Sequence, residues 1–117
     1  VTVRQNFSSA HNLRGYEGNC ENLHGHNWVI KATLKGEKLD HIGMLVDFKV
    51  FKKALKEIMN DLDHKYLNEH PAFTEINPTS ENIACYIFHE LEKTFIGMVD
   101  SVIVYENEDS YAEYSLA

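Results

Sequence analysis

Cys20-Glu21-Asn22-Leu23-His24-Gly25-His26-Asn27-Trp28-Val29-Ile30-Lys31-Ala32-Thr33-Leu34-Lys35 is the stretch from which the fold is read. From His24 onward, His24, His26, Trp28, Ile30, Ala32 and Leu34 fall on one face of an extended chain, with Asn27, Lys31, Thr33 and Lys35 opposite. This predicts a half-buried strand from His24 to about Lys35. Upstream, Val1, Val3, Phe7 and His11 share one face of a first strand ending at His11. If the two strands form a hairpin, His11 neighbours His24, and His24 and His26 point the same way, roughly 6.5 to 7 Å apart along the chain. Three imidazoles then converge at one end of a sheet.

Such a trio suits Zn²⁺, with Zn–N distances of ~2.0–2.1 Å and a fourth position open for water or substrate, the arrangement of a catalytic site. Other divalent ions accept the same ligand type. Read singly, each histidine is a half-buried polar residue at a strand end; the metal reading rests on the three together. Gly25, between two of them, reads as a site of close backbone approach or a bulge. Cys20 stands in a loop with Gly15 and Gly18. It is open to four readings: fourth ligand, nucleophile, general base or small loop residue. Cys85, within a helical stretch, carries no such context.

Downstream, Asp47 is placed to cap a helix carrying Phe48, Phe51, Leu55, Ile58 and Leu62 up to Asp63-His64. Asn77-Pro78-Thr79-Ser80 starts a second helix, followed by Ile83, Ile87, Leu91 and Phe95 until Gly97. Two strands, Val99 to Glu106 and Tyr111 to Leu116, are joined by the turn Asn107-Glu108-Asp109-Ser110. The expectation is α+β: a four-stranded antiparallel sheet with both helices on one face, ββααββ, in a single domain over residues 1–117. Asp63-His64 is a helix stop with dipole-favourable chemistry, or an imidazole oriented by its carboxylate neighbour. Glu106 shares the Val102/Val104 face near a strand end. A carboxylate there is an exposed terminus or an anchor for a ligand with adjacent N–H donors.

Composition removes several classes of function. Eleven basic residues against eighteen acidic give a formal charge of −7 with no cationic cluster, which disfavours nucleic acid and anionic membranes as partners. No apolar run approaches the ~20 residues that span a bilayer. Two cysteines are too few for a disulfide scaffold and fit a reducing compartment, with the cytoplasm as the default. Arg14, Lys31 and Lys65 are isolated candidates for binding an anion.

Phe7-Ser8-Ser9-Ala10-His11, Cys20-x-x-x-His24-Gly25-His26, Gly43-Met44-Leu45-Val46-Asp47-Phe48, Leu62-Asp63-His64, Asn77-Pro78-Thr79-Ser80-Glu81-Asn82 and the Glu106 strand together resemble the 6-pyruvoyl-tetrahydropterin and 6-carboxytetrahydropterin synthase family over nearly the whole chain. The resemblance implies the tunnelling (T-) fold, with trimers pairing into a homohexamer and active sites at subunit boundaries. It implies His11, His24 and His26 as zinc ligands, Cys20 as the acid–base residue, and Asp63 with His64 as proton-handling partners. Glu106 would grip the guanidine-like edge of a pterin, assisted by Thr79 and Ser80. Three residues between Cys20 and His24 resemble the bacterial queuosine-pathway branch, and the cysteine itself argues against the branch that carries glutamate there. The implied reaction takes 7,8-dihydroneopterin triphosphate to 6-carboxytetrahydropterin, releasing acetaldehyde and triphosphate; the alternative is 6-pyruvoyl-tetrahydropterin synthase acting on the same substrate. A non-catalytic zinc module with Cys20 as fourth ligand, and a metal-free pterin enzyme, are the competing classes.

Overall fold

The computed structural model describes residues 1–16 and 22–116. Strands β1 (Thr2–His11) and β2 (His24–Leu34) lead into helix α1 (Phe48–Leu62) and helix α2 (Ser80–Glu92). Strands β3 (Val99–Asn107) and β4 (Ser110–Tyr114) follow. The sheet order is β1-β2-β3-β4, and every neighbouring pair is antiparallel. The expected ββααββ arrangement is therefore the observed one.

Alternation along β2 does what it predicts. Trp28, Ile30, Ala32 and Leu34 are buried, and with Val102 and Val104 of β3 they form one cluster with Phe51, Leu55, Met59 and Leu62 of α1 and Ile83, Ala84, Ile87, Phe88 and Leu91 of α2. Each large apolar side chain so buried contributes roughly 1.5–3 kcal/mol relative to exposure. Both helices thus cover a single face of the sheet. The other face carries Arg4, Asn27, Val29, Lys31 and Tyr105 around an open cavity of about 600 Å³.

Helix α1 begins where Asp47 accepts the Lys49 amide at 2.8 Å, an N-cap that satisfies one orphan donor. At its far end the chain joins the sheet. Ser8 N–H donates to Asp63 Oδ1 (2.8 Å), His64 N–H to the Ser8 carbonyl (2.6 Å) and Ala10 N–H to the Lys65 carbonyl (3.0 Å). A parallel bridge pairs Ala10 with Tyr66. Residues 63–66 thereby occupy the outer edge of β1 beside the site, which removes open hydrogen-bonding groups from that edge.

Some boundaries differ from those read in the sequence. Helix α2 stops at Glu92, because the Leu91 carbonyl receives both the Thr94 and Phe95 amides and the chain turns through Gly97 at φ +74°. Phe95 nonetheless stays in the core at helical spacing. β4 ends at Tyr114 rather than Leu116, and two single 3₁₀ turns, Leu67–Glu69 and Pro71–Phe73, occupy the segment between the helices. Gly25 does not mark a bulge: it pairs in register with Ala10, and an added Cβ would meet only the Ser9 carbonyl at 3.8 Å. Among the described residues, no helix is long and apolar enough to cross a membrane.

Candidate metal centre and active site

The β1–β2 register places His11 directly opposite His24 and Ser9 opposite His26, so the last residue of one strand meets the first of the next. Strand parity sends all three rings to the helix-covered face, with centroids 4.5 Å (His11–His24), 5.1 Å (His11–His26) and 4.8 Å (His24–His26) apart. Trp28 floors the cluster, edge-on to His11 at 4.9 Å and to His26 at 5.0 Å. Its own indole N–H is held by the Ser9 carbonyl at 3.3 Å.

Hydrogen bonds at the back of two rings decide what their fronts offer. His11 Nδ1 lies 2.7 Å from the Pro78 carbonyl, and His24 Nδ1 lies 2.7 Å from the Asn22 carbonyl. A carbonyl only accepts, so both Nδ1 atoms carry the proton, and in the neutral rings both Nε2 atoms present lone pairs. Those two lone pairs face one another at 2.9 Å. Such an approach calls for a cation between them. Burial holds His11, 2 % exposed, below the usual imidazole pKa, with the neighbouring imidazoles adding to the effect, so a proton is disfavoured in that role.

His26 completes the set. Burial lowers its pKa too, and its Nε2 is enclosed without a hydrogen-bond partner. Glu106 Oε1 stands 2.8 Å from that nitrogen and 3.8 Å from His11 Nε2. One donor atom from each of His11, His24, His26 and Glu106 lies within 4.8 Å of the others. A tetrahedral Zn²⁺ with bonds of ~2.0–2.1 Å has ligand–ligand edges of about 3.3 Å, so the spacings fit a shared ion. The donor chemistry, neutral imidazole with one carboxylate, suits a divalent metal ion.

The other predicted residues are distributed less evenly. Asp63 Oδ1 is spent on the Ser8 amide, and that bond leads the causes that draw its pKa below the ordinary carboxylate value. Its Oδ2 sits 2.9 Å from His64 Nδ1. His64 is 83 % exposed, holds φ at +54°, and lines with Gly25, His26, Asn27 and Lys65 a groove of about 460 Å³. The absent side chain at Gly25 keeps that groove open. Thr79 caps α2 by accepting the Asn82 amide at 3.1 Å, and Ser80 is buried in the first turn. Both therefore sit behind the Pro78 carbonyl that orients His11. Cys20 lies outside the described residues.

Of the three candidate anion ligands, Arg14 is committed elsewhere. Its guanidinium donates to the carbonyls of Phe73 (2.5 Å), Asn68 (3.2 Å) and Ile76 (3.3 Å), which stitches the loop between the helices to the end of β1. Lys31 lies 5.3 Å over the Tyr105 ring on the open face, and Lys65 faces the His64 groove. Sequence reasoning missed Pro78 as the group that fixes a ligand's tautomer. Nothing in a residue list signals a carbonyl role 67 positions away from its partner.

The 6-pyruvoyl tetrahydropterin synthase family model matches residues 1–117. The chain is 38% identical to a 6-carboxy-5,6,7,8-tetrahydropterin synthase of Synechocystis, covering 92% of this chain and 86% of that one. It is 35% identical to the 6-pyruvoyl tetrahydrobiopterin synthase of Homo sapiens, covering 97% and 89%. The solved 6-pyruvoyl tetrahydropterin synthase of Caenorhabditis elegans superposes with a TM-score of 0.85 at 30% identity, over 100% of this chain and 96% of that one. Taken with the ββααββ topology of the tunnelling fold and the histidine cluster at its hairpin end, these matches show that the chain belongs to the 6-pyruvoyl tetrahydropterin synthase family.

Proposed function

We propose that the protein is a zinc-dependent enzyme that converts 7,8-dihydroneopterin triphosphate and water into 6-carboxy-5,6,7,8-tetrahydropterin, acetaldehyde and triphosphate, a step that feeds 7-deazapurine (queuosine) biosynthesis in the cytoplasm. The observation that carries this reading is the convergence of three imidazoles, two of which, His11 and His24, have back-side hydrogen bonds that turn their Nε2 lone pairs toward one another. Zn²⁺ bound there would polarise the substrate's side-chain hydroxyls and stabilise enolate-like charge.

The chain's own residues supply the rest. Cys20, as thiolate, takes a proton beside the ring. His64, held by the Asp63 carboxylate at 2.9 Å, passes protons during the redox rearrangement and the loss of triphosphate. Glu106 grips the guanidine-like edge of the pterin through paired N–H donors, with Thr79 and Ser80 at the adjacent helix start. The high exposure of His64 supports a homohexamer, a dimer of trimers, in which that side chain serves a site shared with a neighbouring copy.

The second reading is 6-pyruvoyl-tetrahydropterin synthase, which eliminates triphosphate from the same substrate. Relatives bear both names. The three-residue spacer Glu21-Asn22-Leu23 supports the first. Incubating the zinc-loaded protein with 7,8-dihydroneopterin triphosphate and identifying products by mass separates them. Acetaldehyde with a carboxylated pterin is expected. A pterin that keeps its whole three-carbon side chain establishes the second reading, and unchanged substrate refutes both.

A further inference from the structure

Strand register sets two cations side by side on the face of the sheet that the helices leave open. Arg4 of β1 pairs directly with Lys31 of β2, which puts their Cβ atoms about 4.5–5.5 Å apart on that face. Like charges so placed repel, and among the described residues neither side chain forms an ion pair with a carboxylate. Lys31 instead lies 5.3 Å over the Tyr105 ring, which itself packs on Tyr111 at 4.8 Å, so an aromatic face holds the ammonium in place. In a chain of net charge −7, a cationic pair left in this state is a local attraction for an anion, which would relieve the repulsion.

The pair stands at one end of the 600 Å³ cavity, and Asn27, Glu106 and Glu108 stand at the other. Glu106, the extra residue of a β-bulge between the Tyr105–Tyr111 and Asn107–Ser110 pairs, marks where the cavity meets the imidazoles, 2.8 Å from His26 Nε2. From there the cavity follows β2 for about 13 Å, from Asn27 to Lys31. Ser8 Oγ donates to Asn27 Oδ1 at 2.6 Å, which leaves the amide N–H donors of Asn27 free for a ligand. Charge along the cavity is thus ordered, with carboxylates nearest the histidines and cations farthest from them. We propose that Arg4 and Lys31 bind the terminal phosphates of the pterin triphosphate, and that Asn27 donates to the part of the tail nearer the histidines. Arginine supplies a forked donor to phosphate oxygens and lysine a point charge. This inference rests on the reaction proposed above and deepens it by naming what holds the leaving triphosphate.

The test uses the zinc-loaded full chain. Inorganic triphosphate and, separately, 7,8-dihydroneopterin are titrated calorimetrically into the wild type, Arg4→Gln, Lys31→Gln and the double variant. KM and kcat are then measured with 7,8-dihydroneopterin triphosphate. Each single substitution is expected to weaken triphosphate binding roughly tenfold or more, the loss of one charge-assisted contact, and to raise KM by a similar factor while kcat holds. Affinity for 7,8-dihydroneopterin, which has no phosphate, should stay within about twofold. Denaturant midpoints should equal or exceed that of the wild type, because the substitutions relieve a cross-strand repulsion. Unchanged triphosphate binding in the double variant, or an equal loss of 7,8-dihydroneopterin binding, would overturn the proposal. So would weaker triphosphate binding with an unchanged KM, the mark of a site for a free polyphosphate rather than for the substrate's tail. A wild type that binds inorganic triphosphate through Arg4 and Lys31 yet leaves the pterin triphosphate unconverted would uphold the anion site and overturn the reaction beneath it.

Discussion

At the scale of single residues, the site is defined less by which histidines are present than by what holds their far nitrogens. Carbonyls at Pro78 and Asn22 fix the protons of His11 and His24 on Nδ1, and burial lowers the pKa of His11 and His26, which favours the neutral rings whose lone pairs can meet a cation. Cys20→Ala is expected to retain zinc and the folded assembly while abolishing turnover; metal loss on that substitution would make the thiol a ligand and the site a closed, structural one. Arg14 belongs to the same scale. Replacing it with methionine strips donors from the carbonyls of Asn68, Phe73 and Ile76, and a charge-assisted hydrogen bond is worth about 1.5–3 kcal/mol. Chemical denaturation should show a loss of that order. Unchanged substrate KM in the same variant would confirm that Arg14 is scaffold rather than phosphate ligand.

At the scale of elements, α2 carries part of the site on its N-terminus. Thr79 caps the helix, and Pro78 immediately before it holds His11. Thr79→Ala should therefore cost about 1 kcal/mol of stability, whereas Thr79→Ser should cost little, because serine caps as well. Both are read by denaturant midpoint. If Thr79→Ala instead leaves stability intact and weakens only pterin binding, the hydroxyl serves substrate and not the helix. The hairpin ends and face parity of the histidines were legible in the sequence, because period-two alternation from His24 to Leu34 fixes which side chains share a face. The aim of Glu106 was only half legible. Its face followed from parity with Val102 and Val104, but the one-residue bulge that brings it onto the imidazoles depends on pairing with β4. Between the helix stop at Asp63-His64 and the helix start at Asn77-Pro78-Thr79-Ser80, the turns of the intervening segment were not legible. Arg14, Asn68 and Asn77 are organised by bonds to partners 54 to 63 positions away, which no local pattern encodes.

At the scale of the whole molecule, two linkages govern stability. Asp61, hydrogen-bonded to His70 at 2.7 Å and to the Tyr86 hydroxyl at 3.2 Å, has its pKa drawn below 3.8, chiefly by the His70 bond, and Asp63 is lowered as well. In the window between those lowered values and 3.8 the unfolded chain binds more protons than the native one. Stability from these carboxylates is therefore complete above that window and is lost as pH falls through it. Asp61→Asn should flatten the acid limb of a stability-against-pH curve; an unaltered limb would show that the His70 contact is not formed in solution. Metal binding, as proposed, would be the second linkage. Zinc at a hundred times its Kd should stabilise the fold by about 2.7 kcal/mol, seen as a rise in melting temperature that chelator reverses. The most direct measurement of the central claim is zinc binding to the wild type and to His24→Ala at matched secondary structure by circular dichroism. One ion per chain is expected for the wild type, with affinity at least ~100-fold weaker in the variant, beyond the 10–100-fold typically lost when only a ligand's hydrogen-bond partner is removed. Equal zinc affinity in the two proteins would contradict it.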